Sequence, residues 1–147
     1  MSAWLPAGAI VTNGLLAGVF FVCACAVVPG FRRVDDRTYL AAFRAINRAI
    51  LNGWFLLVFF GAPVSAVAVA VSSPGWLTVA AAASAVVTFG ITVAGNVPLN
   101  QALERAEARS DAERRTVRES FEGPWARRNL ARTATSVAAL AFLALAA

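Results

Sequence analysis

What most constrains this chain is where charge is missing. No charged residue occurs from Met1 to Phe31, from Ala49 to Leu103, or from Thr133 to Ala147. A helix needs about 20 consecutive apolar residues to cross a bilayer. These runs supply four such lengths once the middle one folds back at Ser72-Ser73-Pro74-Gly75, a short uncharged turn. Charged residues make up only 14% of the chain, against about 25% in an ordinary soluble domain. The fold class expected is all-α: an integral membrane four-helix bundle in a single membrane domain. Its spans fall at about 7–28, 49–71, 76–95 and 125–147.

All thirteen basic residues are arginine, and they form two blocks, Arg32 to Arg48 and Arg105 to Arg132. The blocks lie in the segments joining spans one to two (30–48) and three to four (101–124), so they share one side. The positive-inside rule makes that side cytoplasmic and places both termini outside. The net charge of +5 is therefore topological. The arginines are mixed with acids and lack interleaved aromatics, so no nucleic acid is expected as a partner. Arginine-only usage and alanine-rich spans suggest a high-GC bacterium and its inner membrane.

Along the chain, Pro29-Gly30 is expected to stop the first span. The leading residues 1–6 carry no basic residue, and the apolar run exceeds a signal-peptide core, so a permanent helix is expected. Cys23 and Cys25 point about 200° apart on a helix, cannot easily bridge, and read as apolar fillers. Gly14 to Gly18 forms a small-xxx-small face suited to close packing. Tyr39, Phe43, Ile46 and Ile50 repeat at helical spacing, which predicts an amphipathic helix before the second span, with Asn47 on its apolar side. Pro63 should kink the second span. Trp54 and Trp76 fit interfacial anchors. Ser110-Asp111-Ala112-Glu113 has the form of a capping box, so a charged helical segment should start there and end before Gly123-Pro124. Pro124 would then open the fourth span. The apolar run after Thr133 is short for a span, so Arg132 must snorkel or pair inside the bundle.

The polar residues that break the apolar pattern gather at one end of the spans. Asn47, Arg48 and Asn52 open the second span, Asn96 and Asn100 close the third, and Trp125, Asn129 and Arg132 open the fourth. Asn13 is the only amide in the first. Pairs such as 96 with 100 share a helix face, which predicts a converging polar cluster at the cytoplasmic mouth. Paired-carboxylate chemistry has no support, because no span contains a carboxylate. The chain has no histidine, no phosphate loop and no metal shell. Amide and guanidinium donors remain, and these suit an oxyanion, an enolate or a carbonyl.

Four stretches carry a resemblance: Asn13 to Phe21 with Pro29, Ala45 to Asn52, Asn96 to Asn100, and Trp125 to Arg132. Together they resemble the anthrone oxygenase-like family of small bacterial and fungal membrane proteins. The resemblance implies a four-helix membrane bundle. It also implies a possible activity, oxidation of a tricyclic anthrone to an anthraquinone with molecular oxygen, and no cofactor. Carried over, Asn47, Asn96, Asn100, Trp125, Asn129 and Arg132 match the family's polar pattern. Arg132 and Asn129 are the expected catalytic pair. Asn13, Asn47, Asn52, Asn96, Asn100 and Trp125 are the expected contacts to a hydrophobic, partly polar small molecule. The alternative is a non-enzymatic membrane module that binds a partner protein through segment 101–122. A transporter is a weaker reading, since no internal repeat and no intramembrane acid is present.

Overall fold

The structure is a computed structural model that describes residues 4–147. The expectation for the leading segment therefore lies partly outside the described residues. Among those residues there are five helices and no strand. Four are long and apolar enough to span a membrane: α1 (Trp4–Phe31), α3 (Gly53–Ser72), α4 (Trp76–Arg105) and α5 (Asp111–Ala146). The fifth is α2 (Asp36–Ile50), amphipathic as its apolar spacing requires, with Tyr39, Leu40 and Phe43 buried. The protein is an all-α membrane bundle.

Its packing is inverted relative to a soluble bundle. Small residues are prominent in the core between the spans, where Ala9, Ala62, Ala66, Ala81, Ala85 and Ala139 are buried beside a few large ones such as Leu16, Phe20, Phe59 and Leu143. Large side chains such as Leu15, Phe21, Leu57, Phe60, Val64 and Val71 face outward. Lipid is as apolar as leucine, so nothing drives those side chains inward; close backbone approach and interhelical hydrogen bonds hold the spans together. Thr88 and Thr135 share a 2.6 Å hydroxyl bond between α4 and α5. Thr12 and Ser65 share one of 3.1 Å between α1 and α3. Trp54 and Trp76 are exposed near opposite ends of the α3–α4 hairpin.

Several boundaries differ from the sequence expectation, and proline chemistry explains most of them. Pro29-Gly30 does not stop α1, which continues to Phe31. Likewise α4 does not end near Gly95 but runs through Pro98 to Arg105. In both helices a π turn precedes the proline by the same offset: Cys23–Val27 before Val28-Pro29, and Thr92–Asn96 before Val97-Pro98. Proline cannot donate to the ladder, and its ring clashes with the carbonyl four residues back. A wider π turn, with Val28 N–H donating to Cys23 O and Val97 N–H to Thr92 O, accommodates that defect without ending the helix. Pro63 lies within a continuous α3. Gly123-Pro124 likewise does not separate two helices, because α5 is one helix from Asp111 onward. The Ser110–Glu113 capping box that starts it is present as expected.

The arginine-rich end is closed by α2, which a break at Leu51-Asn52 separates from α3. Asn52 caps α3, accepting from the Phe55 N–H at 3.0 Å. Asp35 caps α2, and the Thr38 hydroxyl and N–H hold its carboxyl below the usual range. Arg44 of α2 donates to the carbonyls of Leu103 (3.1 Å) and Ala106 (2.6 Å), finishing the end of α4. Arg118 of α5 does the same for the α1–α2 connection. It donates to Phe31 O, Val34 O, Asp36 and Glu122, and its guanidinium lies 4.4 Å from the Tyr39 ring centroid. Arg118→Gln should free α2 by about 1.5–3 kcal/mol, the worth of hydrogen bonds to a charged group. Hydrogen exchange in lipid nanodiscs should then speed up about tenfold or more across residues 36–50. Unchanged exchange there would mean that apolar packing alone fixes α2.

Candidate functional site

The site forms where α1, α4 and α5 meet beneath α2. On α5, Trp125, Asn129 and Arg132 recur at spacings of four and three, so all three project from one face, and all are buried. Asn129 donates to the Phe20 carbonyl of α1 at 3.1 Å and accepts from Arg132 Nη2 at 2.8 Å. This amide therefore ties Arg132 to α1. The Arg132 guanidinium carbon stands 4.3 Å from the Phe20 ring centroid and 5.4 Å from that of Trp125. Trp125 Nε1 donates to Asn100 of α4 at 2.9 Å.

Two buried residues here leave polar atoms without partners among the described residues. Asn96, on α4 one turn before Asn100, is 0% exposed, yet neither its amide nitrogen nor its oxygen is hydrogen-bonded. Arg132 is 6% exposed, its Nε has no partner, and no carboxylate pairs with it. The α4–α5 register is fixed by three contacts: Thr88 with Thr135, Gly95 with Arg128, and Asn100 with Trp125. This antiparallel register sets Asn96 at the depth of Asn129, about one turn from Arg132 along the bundle. A buried amide without partners costs about 1–3 kcal/mol, which sets Asn96 apart from the other amides of the spans.

The next layer, toward α2, is aromatic. Phe43 of α2 is its hub, with ring centroids 4.9 Å from both Trp125 and Phe121, 5.2 Å from Tyr39 and 5.3 Å from Phe31. Burial pushes the Tyr39 phenol above its ordinary value, so it stays protonated and offers no base. Beside this layer a groove of about 230 Å³ opens between α2 and α4. Asn47, Ile50, Leu51, Val97, Asn100 and Glu104 are among its lining residues, and the Asn47 amide nitrogen is buried without a partner.

The structure thus gathers Asn47, Asn96, Asn100, Trp125, Asn129 and Arg132 within one end of the bundle. Two expected ligand contacts lie elsewhere. Asn52 is exposed and spends its side chain on the α3 cap and on the Ala49 carbonyl (3.0 Å). Asn13 bridges α1 to α3 through the Ala9 (2.9 Å) and Ala62 (3.0 Å) carbonyls. It sits seven residues from Phe20, about 10 Å along the helix. The Asn129 side chain spends its oxygen on Arg132 and its nitrogen on the Phe20 carbonyl. Phe20 was missed, because an aromatic within an apolar run gives no signal of facing a cation. Among the described residues no group of three His, Cys, Asp or Glu side chains could hold a metal.

Satisfied and unsatisfied amides should respond oppositely to the near-isosteric leucine. Asn96→Leu should leave the ligand-free protein as stable or up to about 1–3 kcal/mol more stable, because it removes an unpaired buried amide. Asn129→Leu should cost about 1.5–3 kcal/mol, because it strands a buried guanidinium. Reversible unfolding in mixed micelles measures both. The reverse order would mean that Asn96 is satisfied inside the ligand-free protein.

Comparison with curated proteins and with solved structures finds no match. A family model described as anthrone oxygenase matches residues 39–142. That match takes in α3, α4 and most of α2 and α5, and with them Asn47, Asn96, Asn100, Trp125, Asn129 and Arg132. It covers well over half of the chain, which therefore belongs to the anthrone oxygenase family.

Proposed function

We propose that the protein binds a flat, hydrophobic molecule bearing a carbonyl or phenolic oxygen beside Arg132, and oxidises it with molecular oxygen as an anthrone oxygenase. The observation that carries this reading is the buried guanidinium itself. It has no carboxylate partner and is held in place by Asn129 and two aromatic faces. A preorganised cation in a low-dielectric site stabilises negative charge that develops during reaction.

The chemistry needs little else. Loss of a proton from the central ring carbon of an anthrone leaves an enolate whose oxygen Arg132 binds, while Asn96 offers a donor and an acceptor to neighbouring ring oxygens. Oxygen adds at the ionised carbon, and the proton, passed to water in the groove, returns to the peroxide. Loss of water then converts the ring methylene into the second carbonyl. One oxygen atom ends in the quinone and the other in water, so the sum is anthrone plus oxygen giving anthraquinone plus water. The Asn47–Asn100 groove is the entrance. Its volume is about 230 Å³, below the usual 300–1,000 Å³ of ligand pockets, as suits a passage rather than the binding site itself.

The partner-module alternative rests on segment 101–122. Arg114, Arg115, Arg118, Glu104 and Glu122 of that segment are engaged in ion pairs within the chain, which favours the pocket reading. By the positive-inside rule, the same proposal puts the arginine-rich end, and so the groove, on the cytoplasmic face of a bacterial inner membrane, with both termini outside.

Oxygen uptake by the purified protein, offered a panel of anthrones, tests the activity. Arg132→Gln should lower kcat/KM by about 100- to 1,000-fold, the usual loss when one oxyanion donor is removed. Uptake equal in both proteins would remove Arg132 from the reaction, and uptake absent from both would move the function to a non-enzymatic binding role.

A further inference from the structure

On the outside of the bundle, at the arginine-rich end, α4 and α5 leave an open groove of about 450 Å³ lined by Ile91, Ala94, Gly95, Arg127, Arg128 and Ala131. It is distinct from the groove between α2 and α4 and shares no lining residue with it. Val93 and Leu130, each next in sequence to a lining residue, are exposed apolar side chains, as on a surface that meets lipid. No carboxylate lines it. Arg127 is exposed and has no ion pair or hydrogen bond within the chain among the described residues. Arg128 is fixed, with its Nη1 donating to the Gly95 carbonyl at 2.8 Å in the π turn of α4. A Cβ at Gly95 would stand 3.0 Å from Arg128 Cδ, so the arginine stem packs directly on the α4 backbone.

Two guanidinium groups, one free and one pinned with donors to spare, thus stand over an apolar cleft at the level where a span leaves hydrocarbon. Guanidinium forks match phosphate geometry. A basic pocket between spans, beside an anionic leaflet, selects charged headgroups. We propose that this groove is a binding site for an anionic phospholipid, its phosphate held by Arg127 and Arg128 and one acyl chain lying along Ile91, Ala94 and Ala131. The lipid would seal α4 against α5 on the outer side of the π turn that carries Asn96 inward. The site stands whether or not the protein proves to be an oxygenase.

Native mass spectrometry of the detergent-purified full chain tests it, with phosphatidylglycerol and phosphatidylcholine of identical acyl chains offered together. The wild type should retain one phosphatidylglycerol in preference to phosphatidylcholine. Arg127→Gln alone should weaken that retention about fivefold, and Arg127→Gln with Arg128→Gln about thirtyfold. Arg127 has no partner in the fold, so the single variant reads binding without disturbing folding. Arg33→Gln with Arg37→Gln removes two exposed arginines from the same end and should leave retention unchanged. Millimolar inorganic phosphate should not displace the lipid. The proposal is overturned by equal retention of the two lipids, by retention that survives the double variant, by an equal loss in the Arg33 and Arg37 control, or by displacement with free phosphate.

Discussion

Hydrocarbon offers no hydrogen bonds, and that single property of the solvent organises the molecule. Every polar group carried into the spans has to be answered from inside the bundle or left unpaired at a cost of kilocalories. The threonine and serine hydroxyls answer one another or their own helix carbonyls, and Asn13 spans α1 and α3. Small residues line the interfaces because such bonds form only when backbones come close. Against this background of satisfaction, Arg132 and Asn96 stand apart.

An arginine in a span without a carboxylate is costly, and the surrounding sequence supplies what makes it tolerable. Asn129 takes one donor, while the rings of Phe20 and Trp125 present their faces. Phe43 and its aromatic neighbours then close the layer on the α2 side, and Arg118 and Arg44 latch α2 in place. The charge is thereby kept dry but not neutralised. A carboxylate partner would have made the site more stable and would have occupied the place an anionic ligand needs. The proline-linked π turns of α1 and α4 lie beside this layer, where each shifts the helix register by a residue without ending the helix.

Much of this was readable from residue order. The charge-free runs gave the four spans, the spacing of Tyr39 and Phe43 gave α2, and Ser110 to Glu113 gave the start of α5. The cluster of Asn96, Asn100, Trp125, Asn129 and Arg132 was legible because polar residues in apolar spans are conspicuous. Three features were not legible, each for a physical reason. Pro29 and Pro124 looked like boundaries because a local rule sees the lost donor but not the π turn that absorbs it before Pro29, nor the tertiary packing that carries α5 through Pro124. Asn52 and Asn13 looked like ligand contacts because an amide's partner is set by tertiary neighbours: a helix start for one, a facing carbonyl for the other. Phe20 gave no signal because an apolar side chain meeting a cation reads the same as one meeting lipid.

The central claim is that Arg132 stabilises an anion inside the bundle, and it can be tested without any turnover. An anthrone ionises with a large change in visible absorbance, so its apparent pKa can be titrated anaerobically in the presence of the protein. The account predicts that binding to the wild type lowers that pKa by about one unit or more relative to empty micelles, each unit being about 1.4 kcal/mol of preference for the anion. The shift should vanish in Arg132→Gln. An anthrone that binds with its pKa unchanged, or shifts equally in both proteins, would contradict it.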